Sequence, residues 1–376
     1  MKKILIVDDE VQILKALSRV FLDTDYKILT AENGMEALKL LEENEVDMLI
    51  SDMRMPILDG NKLLSIVKEK YPKIIRVILS GYAEEKLMFR ALLHNLAKLY
   101  VFKPWNNDAL LRDIGKLFAD DVVLNSTELK KLIEDIDCQC TMPDNCEKMI
   151  RLTEEENMDA LIKEIEHDPD ISALLIQVGK SAVYGVMPDT VRQAANYIGL
   201  HNLKCFLHWA CVLSTTTETD IVNEEPALLW KHAYLTNRIF LFLYETFLHK
   251  QPPEGAMFAG LMHNIGLIIK MKNRELTHES LKKELDDYRI SHQEIGAYFL
   301  QLWDLPFPIY EAALYHHRPQ DASIVHNELV SIINIAQHYA WLKLAATDIP
   351  PIEEVTFASI NITKEEFEKR LARYLK

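Results

Sequence analysis

Short runs of aliphatic and β-branched residues alternate with amphipathic stretches over roughly the first third of this chain. Lys3 to Val7, Lys27 to Ala31, Asp47 to Ser51, Ile74 to Leu79 and Lys98 to Phe102 read as strands. Between and after them, Val11 to Phe21, Met35 to Glu42, Lys62 to Lys70, Glu84 to Leu93 and Asn107 to Phe118 carry apolar residues at helical spacing. Strands that alternate with helices predict a parallel sheet covered on both faces. Asn33-Gly34, Asp59-Gly60 and Ser80-Gly81 supply turn chemistry at the joints.

After residue 122 the strand pattern stops, and helical periodicity continues to the C-terminus. Ser126-Thr127-Glu128 marks a helix start, and prolines from Pro143 to Pro350-Pro351 divide the rest of the chain into segments of ordinary helix length. Thr363 to Tyr374 opens Thr-Lys-Glu-Glu, the pattern of a capped amphipathic helix, expected to pack on the helical domain. The expected organisation is multidomain α/β plus all-α. It comprises an α/β domain over residues 1–121, a helical connector over 122–136, an all-α domain over 137–345 and a C-terminal extension over 346–376.

Composition narrows the function classes. The chain has 376 residues, more than the ~250–300 that one core usually sustains. Hydrophobic residues make up 49% and charged residues 26%, as in packed globular proteins. The net charge of −15 argues against a dominant nucleic-acid or membrane surface, and the chain shows no basic recognition helix, so direct DNA binding is not expected. No apolar run approaches the ~20 residues of a membrane span. The apolar run of MKKILIVDDE ends at two acids rather than extending as a signal peptide would. A cytoplasmic protein is therefore expected. Its five cysteines are sparse and odd in number, which fits reduced thiols. Cys138, Cys140 and Cys146 lack a fourth ligand at finger-like spacing, so structural thiols are expected there too.

Candidate chemistry lies at the ends of the apolar runs. The first ends in Asp8 and Asp9, a later one in Asp52, the next in Ser80 and the last in Lys103 followed by Pro104. Parallel strands bring their carboxyl ends together, where open α/β sheets bind ligands. Clustered carboxylates repel unless a hard cation neutralises them, and Mg²⁺ does so while leaving positions for water or phosphate. Asp52 then suits a nucleophile, Lys103 a stabiliser of transferred charge and Ser80 a hydroxyl that senses the product. Further along, His232, His263, His292 and the pair His316-His317 lie in predicted helices or at their ends. Imidazoles converging from different helices define a candidate transition-metal site.

The motifs ILIVDDE, SDMRMPILDG, LSGY and YVFKPW make residues 1 to about 120 resemble a response-regulator receiver domain. The resemblance implies a five-stranded, doubly wound, flavodoxin-like fold. It implies phosphorylation of Asp52 by a sensor histidine kinase or phosphotransfer protein, and Mg²⁺ held by Asp8, Asp9, Asp52 and the main-chain carbonyl of Arg54. Ser80 and Tyr100 fall on the switch positions of such domains, and Arg54 and Tyr82 fall where the family tunes dephosphorylation.

The stretches HDPDISALLIQVGKSAVYGV, LLWKHAYLTN, FAGLMHNIGLIIK and ISHQEIGAYFLQLWDLPFPIYEAALYHHRP resemble an HDOD domain, a helical relative of HD-type phosphohydrolases. Hydrolases of that type use a His-Asp pair at their metals, whereas this chain has His263-Asn264. Leu267 stands where related cyclic-dinucleotide phosphodiesterases have lysine, His316-His317 continue as Arg318-Pro319 without the GYP segment, and Gln337 replaces a later aspartate. The expected output is therefore non-catalytic: a partner protein, a nucleotide or other small ligand, or a second copy of the chain. The alternative is a metal-dependent phosphodiesterase regulated by the receiver. Phosphorylation is expected to act by changing contacts between the domains or by exposing a dimer surface.

Overall fold

The computed structural model describes the whole chain except residues 82–94, 136–143, 182–187, 215–224, 254, 273–290, 345–348, 350–351 and 376. The chain divides into two compact units, Met1–Asp121 and Val122–Lys376.

In the first unit, β1 (Lys3–Val7), β2 (Lys27–Ala31), β3 (Met48–Asp52), β4 (Ile75–Gly81) and β5 (Leu99–Lys103) form one parallel sheet in the order β2-β1-β3-β4-β5. The interior strands are the most apolar: Ile4 to Val7 and Met48 to Asp52 are wholly buried, as strands covered on both faces must be. Flanking helices are α1 (Val11–Val20), α2 (Gly34–Glu43), α3 (Gly60–Lys70) and α4 (Asn107–Leu124). Asn33 and Asp59 cap α2 and α3 by accepting from the backbone N–H of Glu36 and Lys62 at 3.0 and 2.9 Å, which satisfies donors that each helix start leaves open.

Sequence and structure differ at two joints. The helix expected to end at Phe118 runs on to Leu124, because Asp120 and Asp121 are followed by Val122 and Val123 with no breaker. The strand expected to end at Leu79 extends through Ser80 to Gly81. The helix expected over Glu84 to Leu93, with Tyr82, lies outside the described residues.

The second unit is helical throughout its described residues. Its first part contains α5 (Thr127–Asp135), α6 (Asp144–Glu154), α7 (Met158–His167), α8 (Pro169–Ser181), α9 (Val191–Ile198) and α10 (Leu200–Ser214). Its second part contains α11 (Glu225–Leu243), continued by a π-helical turn at Tyr244–Leu248, then α12 (Ala259–Met262), α13 (Ile265–Lys272), α14 (His292–Leu302), α15 (Phe307–Tyr315) and α16 (Asn327–Lys343). All of α15 is buried, consistent with a helix that is apolar on every side. α11 packs along α16, and α14 packs against both α13 and α15. The last helices are α17 (Glu354–Ala358) and α18 (Lys364–Tyr374). As its sequence suggests, α18 starts at a Thr363 cap and packs on this unit, with Phe367 against Tyr339 and Tyr374 stacked on Phe242.

One expectation about cysteines is overturned. Cys146 of α6 and Cys211 of α10 are joined in a disulfide, 65 residues apart in sequence. The pairing depends on α6 packing against α10, which local cysteine spacing does not reveal. Cys205 is a free, buried thiol whose pKa burial pushes up to about 12. Cys138 and Cys140 lie outside the described residues.

Candidate functional site

Sheet register assembles the acidic site. Val7 pairs with Ser51, so the next residues, Asp8 and Asp52, stand side by side at the ends of β1 and β3. Ser80 pairs with Phe102 and Gly81 with Lys103, which puts the hydroxyl and the ammonium at the same edge. Lys103 Nζ donates to Asp8 Oδ2 at 2.8 Å and also to Asp52 Oδ1. One cation thus bridges two buried carboxylates, while Asp9 lies exposed beside them.

Backbone contacts fix the remaining oxygens. Asp8 Oδ1 accepts from the Glu10 N–H at 2.9 Å, and Asp52 Oδ2 accepts from the Arg54 N–H at 2.7 Å. Gly60, at the start of α3, presses on the Asp52 main chain, where an added Cβ would lie 2.0 Å from the Asp52 carbonyl oxygen. Only glycine fits there. The loop between β3 and α3 also holds a γ-turn in which the Leu58 N–H bonds the Pro56 carbonyl and exposed Ile57 has φ 73°, a strained conformation for a β-branched residue. The peptide bond between Lys103 and Pro104 is cis.

Burial pushes the Asp52 carboxyl above its ordinary pKa, against the pull of Lys103 and the Arg54 N–H. Burial also works against the Lys103 charge, but its hydrogen bonds and charge interactions with Asp52 and Asp8 win and raise its pKa. The donor set is therefore hard, oxygen-based and anionic, with the Lys103 ammonium as its positive partner, so it fits Mg²⁺. Ser80 is fully buried, with its hydroxyl 3.3 Å from the Gly81 carbonyl. Tyr100 packs on the core formed with Leu63, Leu64, Ile78 and Ala97, and burial raises the pKa of its phenol.

The histidines form a second cluster. His292 Nε2 lies 3.2 Å from His316 Nε2, and ligand nitrogens of His292, His316 and His317 all fall within 4.8 Å of one another. The His263 ring lies 5.0 Å from that of His316. His232 also adjoins His263, but both its nitrogens are engaged: Nε2 with the Gln337 carbonyl at 3.0 Å and Nδ1 with the Asn264 amide at 3.2 Å, while Trp341 stacks on its ring. Of the five histidines named from sequence, His232 is thus held as a hydrogen-bonded core residue. Burial lowers the pKa of His263, His292 and His316 well below the ordinary range, of His317 to about 4 and of His232 to about 3. The imidazoles are neutral near pH 7.

Local structure aims these rings. Ser291 and Glu294 form a capping box that starts α14 at His292. Gly266 of α13 lets that start come close, since a Cβ there would lie 1.9 Å from the His292 carbonyl oxygen. Asn334 of α16 donates to the His316 carbonyl at 2.7 Å and fixes the end of α15. Sequence reasoning named Asn264 and Gln337 only as departures from a hydrolase pattern. Their hydrogen bonds to His232 depend on tertiary packing.

Comparisons with known proteins agree with the two units. The model of the response regulator receiver domain family matches residues 4–115, and the HDOD domain model matches residues 140–319. The chemotaxis protein CheY of Listeria monocytogenes is 30% identical over 117 residues, covering 31% of this chain and 98% of CheY. The hydrogenase transcriptional regulatory protein HoxA of Cupriavidus necator is 35% identical over 108 residues, covering 29% of this chain and 22% of HoxA. This chain therefore spans only about a fifth of that relative. Among solved structures, the signal receiver domain of an HD domain-containing protein from Pseudomonas fluorescens Pf-5 is 34% identical, covering 29% of this chain and 88% of that one with a TM-score of 0.29. The chain belongs to the response-regulator receiver family through its first unit. More particularly, it is a response regulator in which the receiver is fused to an HDOD domain. Among the described residues, no helix is long and apolar enough to cross a membrane.

Proposed function

We propose that Asp52 accepts a phosphoryl group from a sensor histidine kinase or phosphotransfer protein, and that the HDOD unit reports this event through binding rather than catalysis. The observation that carries this reading is the single ammonium of Lys103 shared by Asp8 and Asp52 at the carboxyl edge of the sheet. That arrangement holds the acceptor against a fixed positive charge. Asp8, Asp9 and Asp52, with the Arg54 carbonyl, would hold Mg²⁺, which supplies charge neutralisation to the incoming phosphoryl group. Asp52 Oδ1 is the oxygen that Lys103 contacts, and Oδ2 stays anchored to the Arg54 N–H. Attack by a carboxylate oxygen on phosphorus forms an acyl phosphate and releases the donor. Lys103 then bonds the new phosphoryl oxygens, and the Ser80 hydroxyl turns from the Gly81 carbonyl toward them. Movement of Ser80 frees space on β4 beside Tyr100, which pairs in register with Ile78.

A binding role for the HDOD unit is supported by Asn264. Where a hydrolase needs carboxylate charge, Asn264 spends its amide on His232. Its output is a partner protein, a small ligand such as a nucleotide, or a second copy of the chain.

Full-length protein incubated with acetyl phosphate and Mg²⁺ should gain one phosphoryl group by intact mass, and Asp52→Asn should gain none. Unchanged labelling in the variant would move the acceptor elsewhere. Turnover of a cyclic dinucleotide that disappears in His263→Ala would replace the binding role with hydrolysis.

A further inference from the structure

We infer that Cys146 and Cys211 form a reversible thiol–disulfide couple, a peroxide-responsive modification site of the HDOD unit that is separate from the acidic site of the receiver. The first ground is position. Cys146 lies in the first turn of α6 and Cys211 in the last turns of α10, so the bond ties the first helix of the α6–α10 lobe to its last across 65 residues of chain. A protein fed by a histidine kinase works where thiols are kept reduced, and there a disulfide is a transient, redox-sensing bond. To that extent the inference rests on the phosphorylation proposed for Asp52.

The second ground is that the joint does not need the bond. Cys146, Met149 and Leu152 form one buried stripe of α6 at helical spacing, and Glu154 pairs with Lys204 of α10 at 3.2 Å. A thiol packs as a small apolar side chain, so the reduced pair leaves α6 docked and both oxidation states share one fold. The cross-link acts on the opened chain, whose freedom it restricts.

The third ground is reach. Cys146 is buried, but Asp144, Asn145, Glu147 and Lys148 around it are exposed. From outside, that turn is held by Asn145 donating to Asp168 at 3.0 Å and Lys148 to Glu164 at 2.6 Å, exposed contacts of small worth. Fraying of the turn uncovers Cys146 and leaves Met149 and Leu152 packed, and a helix N-terminus favours its thiolate. Cys205 is no competitor. It lies on α10 against the Gly255 carbonyl at 3.8 Å, and burial keeps it a thiol.

The oxidant class is a hydroperoxide. The Cys146 thiolate attacks one oxygen of hydrogen peroxide: an S–O bond forms, the O–O bond breaks, and hydroxide leaves and takes up the thiol's proton as water. The Cys211 sulfur then attacks the sulfenic sulfur, forming S–S and breaking S–O, and the departing hydroxide takes the Cys211 proton as a second water. Two thiols and one peroxide give one disulfide and two waters. A dithiol reductant reverses this by two exchanges and is itself oxidised to a disulfide.

The test uses untagged, full-length protein reduced with dithiothreitol, freed of it and treated with one equivalent of hydrogen peroxide. Peptide mapping should find Cys146 joined to Cys211, and calorimetry should find the HDOD melting midpoint raised by roughly 10 °C. Thioredoxin with its reductase and NADPH should reopen the bond in folded protein and return the melt. Cys146→Ala and Cys211→Ala should each remove the shift. Cys205→Ala and Asp52→Asn should keep it, the latter separating this couple from the fate of the phosphorylation reading. A bond that thioredoxin leaves closed in folded wild type would make it a permanent staple and overturn the inference. So would peroxide that joins other cysteines or none, readouts that stand even if a variant fails to fold.

Discussion

At the edge of the receiver sheet, two buried carboxylates share one lysine next to an exposed aspartate, whereas in the HDOD unit neutral imidazoles crowd together behind a helical wall. The receiver site concentrates negative charge at the sheet edge and meets it with the Lys103 ammonium, an arrangement that suits the hard ion and phosphoryl group proposed for it. The histidine cluster gathers lone pairs without charge, with the His263 and His316 rings held from behind by backbone carbonyls. Both clusters gather residues from several elements, yet the first concentrates charge and the second does not. Position relative to water and the charge of the ligand atoms account for the difference.

The sharpest way to break this contrast is through the two glycines that hold the sites. Gly60→Ala forces a Cβ onto the Asp52 carbonyl and Gly266→Ala forces one onto the His292 carbonyl, each costing about 2–3 kcal/mol as overpacking. Gly60→Ala should abolish acyl-phosphate labelling and lower the melting of the receiver alone, and Gly266→Ala should lower the melting of the HDOD unit and leave labelling intact. Calorimetry with labelling reads both. Loss of both functions in either variant would show that the sites are not independent.

Lys103→Met tests the charge side. Removing one partner of a largely buried pair should cost roughly 1–3 kcal/mol at pH 7, less than for a fully buried pair because Lys103 keeps some solvent contact. Burial already holds the Asp52 pKa above its unfolded value. The penalty of its charged form is therefore full above the folded pKa and fades as pH falls through it. Thermal melts should show a deficit that shrinks in acid and is recovered by Mg²⁺. A deficit insensitive to both would assign Lys103 a packing role.

His208 tests the neutral side away from the histidine cluster. It is stacked on Trp303, and burial lowers its pKa to about 3. The unfolded chain takes up a proton near the ordinary value while the folded one does not, so stability is full above that value and falls as pH drops toward the folded pKa. Between pH 7 and pH 5 the loss is about 1–2 kcal/mol. His208→Phe, which keeps the stack, should reduce the fall in denaturant melts by about that amount, the other buried histidines keeping the rest, and an unchanged slope would refute the assignment. The smallest effect is expected at Thr363→Ala, which removes the α18 cap at Glu366 N–H and should cost ~1 kcal/mol. Denaturant midpoints should place that loss in the HDOD unit.

Much of the receiver was legible from sequence because its chemistry sits where strands end. Asp8, Asp52, Ser80 and Lys103 each close an apolar run, and a parallel sheet of short strands leaves little choice about where those ends meet. Helix length at the junction was less legible: α4 continues past Asp120-Asp121 because nothing in that stretch stops a helix. In the HDOD unit, the histidines were visible as a set but their roles were not. His232 is distinguished from His263 only by hydrogen bonds to Asn264 and Gln337, residues 32 and 105 positions away. The Cys146–Cys211 link was likewise hidden by a separation of 65 residues.

The sequence by itself determined the alternation of strands and helices, the switch to an all-helical second half, and the residue types available at each site. Periodicity and chain punctuation are local, so they survive without tertiary information. Tertiary structure alone decided that one lysine bridges Asp8 and Asp52, that two glycines admit backbone where a methyl would not fit, and which imidazoles face each other. Those outcomes depend on the register between strands and the approach of helices, which are set by packing over the whole unit rather than by any stretch of chain.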